Sequence, residues 1–150
     1  MDNTKKKCLV VDDNTNLVTV LVDKFNSSGF ETEGAYDGEE GLKKALESHP
    51  DVILLDLVMP KVDGLGMLKE LRRDNWGRTA KVMILTLMDD PGYVANAMDS
   101  NILGYVVKTD LSLDGIVRQV KVALQMLGSL RSLTHLPTNL FQLRTIRSAP

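Results

Sequence analysis

Four short apolar runs, Cys8 to Val11, Val52 to Leu55, Val82 to Leu85 and Tyr105 to Val107, are rich in β-branched residues and too short to be helices. Runs that are apolar at nearly every position belong to strands buried on both faces, the environment of a parallel sheet. Phe30 to Ala35 behaves differently, with Phe30, Thr32 and Gly34 alternating against Glu31, Glu33 and Ala35, which fits an edge strand with one wetter face. Between the runs the period is helical: Leu17, Leu21 and Phe25; Leu42, Ala45 and Leu46; Leu65, Leu68 and Leu71; Val94, Ala97 and Met98; then Leu113, Ile116, Val117, Val120, Leu124 and Leu127. Punctuation agrees, since Gly29 can close the first helix, Asp37 and Glu40 form a capping box, and Asp90 before Pro91 supplies an N-cap with proline at the first helical position. Five strand-then-helix units with short, right-handed connections predict a doubly wound α/β domain, a five-stranded parallel sheet with helices on both faces.

The 150 residues suit one domain with a core of ordinary size, and 43% hydrophobic with 25% charged residues is a soluble globular composition. No apolar run is long enough to span a bilayer and no apolar segment follows Lys5, Lys6 and Lys7, so a cytoplasmic protein without a membrane partner is expected. Cys8, inside the first apolar run, is expected in the core, while His49 and His135 lack metal-ligand spacing and are expected at the surface. Residues 128–150 carry Arg131, Arg144 and Arg147 with no acid, so this tail is +3 and the remainder, 15 bases minus 20 acids, is −5. That body predicts no direct nucleic-acid partner.

In open parallel sheets the ligand site lies at the carboxyl ends of the strands. The first strand ends in Asp12 and Asp13, the third in Asp56, the fourth in Thr86 and the fifth in Lys108. Singly these have plain roles, as helix caps, a turn cap or a solvated charge. Together the three carboxylates repel one another and recruit a cation. Oxygen ligands alone imply a hard ion, Mg2+ above all, and no calcium-loop spacing is present. A lysine and a threonine hydroxyl beside the metal would stabilise a transferring phosphoryl group. Asp56, the acid that ends the most apolar run, fits a nucleophile that forms an aspartyl phosphate.

The segments VVDDN at Val10 to Asn14, LLDLVMPKVDG at Leu54 to Gly64, Thr86, and GYVVK at Gly104 to Lys108 closely resemble the receiver domain of two-component response regulators. The resemblance covers about residues 5 to 127. It implies the flavodoxin-like strand order 2-1-3-4-5, a receiver over 1–127 and a tail or linker over 128–150. It further implies Asp56 as phosphoacceptor and Mg2+ held by Asp12, Asp13 and Asp56 with a backbone carbonyl from Leu57 or Val58. Thr86 and Lys108 would bind the phosphoryl oxygens, and the rotamer of Tyr105 would follow the switch. The implied donor is a sensor histidine kinase or phosphotransfer protein. The downstream protein would read the fourth helix, fifth strand and fifth helix, where Asp89, Tyr105 and Gln119 lie. Such a domain takes part in its own phosphorylation without being a turnover enzyme.

Three features depart from the family pattern. Thr109 stands where receivers commonly have proline, bulky Leu87 follows the switch threonine, and the tail matches no output domain. Val58 and Met88, two positions after the phosphoacceptor and the switch threonine, cannot orient a water strongly, so with Leu87 they predict a slowly decaying phosphoprotein. Two alternatives stand beside this reading. One is a receiver cut from a larger regulator or hybrid kinase. The other is an aspartyl-phosphate phosphatase of the haloacid-dehalogenase kind, which needs an acid where Val58 stands.

Overall fold

The computed structural model describes residues 5–57, 59, 63–86, 101–108 and 112–133, the last eight by backbone alone. In chain order the elements are β1 (Lys6–Val11), α1 (Thr15–Ser27), β2 (Phe30–Ala35), α2 (Gly38–Ser48), β3 (Val52–Asp56), α3 (Gly64–Leu71), a 3-10 turn (Gly77–Thr79), β4 (Val82–Thr86), β5 (Gly104–Val107) and α4 (Leu113–Leu133). The strands form one parallel sheet in the order β2-β1-β3-β4-β5, as the resemblance implies. The helix expected around Val94 to Met98 and its Asp90–Pro91 start lie outside the described residues.

Two apolar layers explain why the central strands are apolar at both parities. Cys8, Val10, Val52, Leu54, Met83, Leu85 and Val106 pack under α1 and α4. Leu9, Val11, Ile53, Leu55, Val82 and Ile84 pack under α2 and α3. With water excluded from both faces, each fully buried Leu or Ile contributes about 1.5–3 kcal/mol, and no position is left for a polar side chain until the strands end. At the edge, Asn26 accepts the Thr32 N–H at 2.9 Å and Lys44 donates to the Gly34 carbonyl at 2.6 Å, so two side chains cover backbone groups on β2.

The helix ends follow the sequence. Gly29, at φ 101°, takes the left-handed conformation after α1 that a side chain would disfavour. Asp37 caps α2 through the Glu40 N–H at 2.8 Å, and Glu40 returns a carboxylate to the N–H of Tyr36, one residue before the usual capping-box partner. Asn14, not Asp12 or Asp13, caps α1 by accepting the Leu17 N–H. α4 continues through Gly128 to Leu133. It is tied to α1 by the ion pair of Asp114 with Lys24 at 2.5 Å. The hydrogen bond and charge of Lys24 hold the Asp114 carboxyl below its ordinary value, so this tie is complete above that value and is lost as acid protonates the folded carboxyl.

Leu46, expected on the buried face of α2, is exposed, because the helix packs through Gly38, Gly41 and Ala45 instead. Cys8 is buried, and that burial pushes its thiol pKa up, consistent with a core residue. His49 is exposed as expected and stacks on Trp76, with ring centroids 4.3 Å apart. His135 lies outside the described residues. Arg72 follows α3 and donates to the carbonyls of Gly77, Ala80 and Asn101 at 2.7, 2.8 and 3.2 Å, which fastens α3 to the entries of β4 and β5. Among the described residues no helix is long and apolar enough to cross a membrane.

Candidate functional site

Register brings the acidic residues together. Val10 pairs with Leu54 and Val11 with Leu55, so one further step sets Asp12 beside Asp56. Both continue the parity of Cys8, Val10, Val52 and Leu54, the side covered by α1 and α4, and Lys108 continues that of Val106. Lys108 reaches the cluster because its N–H extends the ladder to the Thr86 carbonyl at 2.6 Å. Its Nζ then lies 2.5 Å from Asp12 Oδ2 and 3.5 Å from Asp56 Oδ2, with all three side chains buried.

The two adjacent aspartates take different places. Asp12 is fully buried, its N–H donating to the Ala35 carbonyl at 3.1 Å and its Oδ1 accepting the Asn14 N–H at 2.9 Å. Asp13 is exposed, yet carboxylate oxygens of Asp12, Asp13 and Asp56 all lie within 4.8 Å of one another. Asp12 Oδ2 lies against the ammonium of Lys108, while its Oδ1 is held by the Asn14 N–H. Oxygen donors at this spacing fit a hard divalent cation, and Asp12, Asp13 and Asp56 could hold one.

Thr86 is buried at the end of β4 but follows Val82 and Ile84 on the opposite parity, and half-buried Tyr105 packs against the α2–α3 layer. The strand ends therefore gather Asp12, Asp13, Asp56 and Lys108, while Tyr105 packs toward the other face. Val58, Leu87, Met88, Asp89 and Thr109 lie outside the described residues.

Two supporting residues are absent from the sequence-level candidates. Asn14 fixes the loop of Asp12 by capping α1, and its signal was the residue type best suited to an N-cap directly before Thr15. Gly64 starts α3 against the loop that follows Asp56, its N–H donating to the Leu57 carbonyl at 3.1 Å. A Cβ on it would fall inside contact distance of the Asp56 carbonyl oxygen and 2.6 Å from Leu57 Cα. Gly64→Ala should therefore lower stability by about 1–3 kcal/mol, read as a shifted urea midpoint at unchanged slope, since backbone cannot yield as a side chain does. An unshifted midpoint would mean that the loop has room.

The sequence model of the response regulator receiver domain matches residues 8–121. The chain belongs to this family. Over 85 residues it is 42% identical to the alkaline phosphatase synthesis transcriptional regulatory protein PhoP of Bacillus subtilis, covering 57% of this chain and 35% of that protein. The receiver spans less than half the length of the curated relatives it matches. Among solved structures it resembles the chemotaxis response regulator CheY4 of Vibrio cholerae, with a TM-score of 0.74 at 26% identity over 80% of this chain and 99% of that one. It also resembles a chain of the CheX-CheY-BeF3-Mg+2 complex of Borrelia burgdorferi, with a TM-score of 0.70 at 27% identity over 78% of this chain and 87% of that one. The transcriptional role named for the Bacillus relative leaves the expected absence of a nucleic-acid partner open.

Proposed function

We propose that this receiver accepts one phosphoryl group on Asp56 in a Mg2+-dependent reaction and thereby switches a protein-binding surface. The observation that carries the reading is Lys108, whose buried ammonium lies between Asp12 and Asp56 at the carboxyl edge of the sheet. A carboxylate oxygen of Asp56 bonds to phosphorus as the phosphorus–nitrogen bond of a phosphohistidine donor breaks, the electron pair leaving with the imidazole nitrogen. Lys108 stabilises the charge on the phosphoryl oxygens, and Thr86, at the end of the neighbouring strand, binds another of them. Asp12, Asp13 and Asp56 would hold the Mg2+, which would supply positive charge beside the incoming phosphoryl group. The backbone ligand would be the carbonyl of Val58 or Leu57.

The donor is a histidine kinase or phosphotransfer protein of the cytoplasm, and the domain is modified stoichiometrically without turning over a substrate. It comprises 1–127, with 128–150 a tail or linker outside it. Tyr105 follows the switch, and Val58, Leu87 and Met88 set a long phosphoryl lifetime.

The test is incubation with phosphoramidate. One phosphoryl mass should be added with Mg2+ and none with chelator. Asp13→Ala should raise the Mg2+ concentration required by at least about tenfold, the lower bound for disturbing even an outer-sphere partner. Full modification in chelator would sink the metal-dependent reading.

A further inference from the structure

We propose that Tyr36 is the residue on which the phosphohistidine-bearing surface of the donor protein packs, a role that rests on the phosphoacceptor reading and names the partner contact beside it. Four large apolar side chains are exposed among the described residues, Val20, Tyr36, Leu46 and Val122. At a rise of about 1.5 Å per residue, Val20 lies roughly 8 Å along α1 from the edge that carries Asp56, and Leu46 and Val122 lie roughly 12 Å or more along α2 and α4. Tyr36 directly follows β2, one peptide from the Ala35 carbonyl that receives the Asp12 N–H, so it stands at the same carboxyl edge of the sheet as Asp56, two strands away.

Tyr36 is 42% exposed although its backbone is fixed. Its N–H donates to Glu40 Oε1 at 2.8 Å, Glu40 pairs with Lys44 at 3.3 Å, and Lys44 reaches back to the Gly34 carbonyl at 2.6 Å. The network brackets Tyr36 on both sides. A fixed aromatic with few rotamers loses little entropy on docking, which is why tyrosine is enriched among the residues that dominate interface energies. Nothing in the phosphoryl chemistry uses this side chain.

Charge selects the occupant. Asp37 and Glu39 follow Tyr36, exposed Asp13 adds to the same rim, and Glu40 is offset by Lys44, which leaves the rim net acidic. The complementary surface is basic, with lysine or arginine flanking the phosphohistidine and an apolar patch to receive the ring. A second copy of this chain would bring the same acids against each other.

The experiment compares two donors on the intact chain: phosphoramidate, and whichever purified histidine kinase of the source organism phosphorylates the wild type fastest. In Tyr36→Ala, kcat/KM with the kinase should fall by about tenfold through KM, while phosphoramidate modification changes less than about twofold. Tyr36→Phe should keep most of the kinase-dependent rate. Equal loss with both donors would place Tyr36 in the pocket chemistry instead, and no loss with the kinase would remove it from the contact. A concentration-dependent dimer abolished by Tyr36→Ala would assign the ring to a second copy. A wild type that neither donor modifies would overturn the phosphoacceptor reading itself.

Discussion

Asp56→Asn is expected to abolish phosphoryl transfer from any donor while leaving the fold intact. The amide keeps the shape of the side chain at the end of β3 but has no anionic oxygen to attack phosphorus. The core does not depend on that charge, since Lys108 keeps its closer contact to Asp12 at 2.5 Å. Removing one of three carboxylates that lie within 4.8 Å of one another also relieves repulsion, so the variant should be as stable as the wild type or more so. Intact-mass spectrometry after phosphoramidate treatment with Mg2+ reads the first effect, and a denaturant titration without metal reads the second. A phosphoryl adduct of undiminished size would move the acceptor to another residue. Loss of stability by more than about 1 kcal/mol would mean that the Asp56 contact with Lys108 outweighs the repulsion.

Where the sequence could be read correctly, burial made it legible. β1, β3 and β4 are covered on both faces, so apolar residues run through both parities and the runs stand out without alternation. The site was legible for the same reason: a polar residue at the end of such a run has left the core, and register then decides its neighbours. Two kinds of feature were hidden. α2 meets the sheet through Gly41, where a Cβ would come within 2.8 Å of Val11 Cγ1, so a search for large apolar side chains chose Leu46 and missed the face that packs. Asp12 and Asp13 are identical in type and adjacent, and only the end of β1 determines that the first is buried against Lys108 and the second is exposed. The arginine clamp at Arg72 was hidden because its three acceptors are backbone carbonyls, which sequence does not distinguish.

The division of labour between Asp12 and Asp13 leads to the second large effect. Lys108 and a bound Mg2+ would share Asp12, because its Oδ1 is taken by the Asn14 N–H and its Oδ2 lies against the ammonium, while the same carboxylate belongs to the acidic cluster. A unit and a double positive charge held by one carboxylate would repel each other, because Coulomb energies between near neighbours stay large at the effective dielectric of a protein site. The ammonium would therefore compete with the metal for Asp12, and Asp56, 3.5 Å away, is the other carboxylate it could pair with. Lys108→Met keeps the length and apolar stem of the side chain and deletes the charge. Without metal the variant should lose about 3 kcal/mol, because the fully buried Asp12 carboxylate is left uncompensated. Its Mg2+ affinity should rise by at least about tenfold, a conservative share of that repulsion. By linkage, saturating Mg2+ should then raise its melting temperature more than that of the wild type. Calorimetric titration reads the affinity and thermal unfolding with and without metal reads the linkage. An affinity that is unchanged or weaker would show that Lys108 does not contend for Asp12.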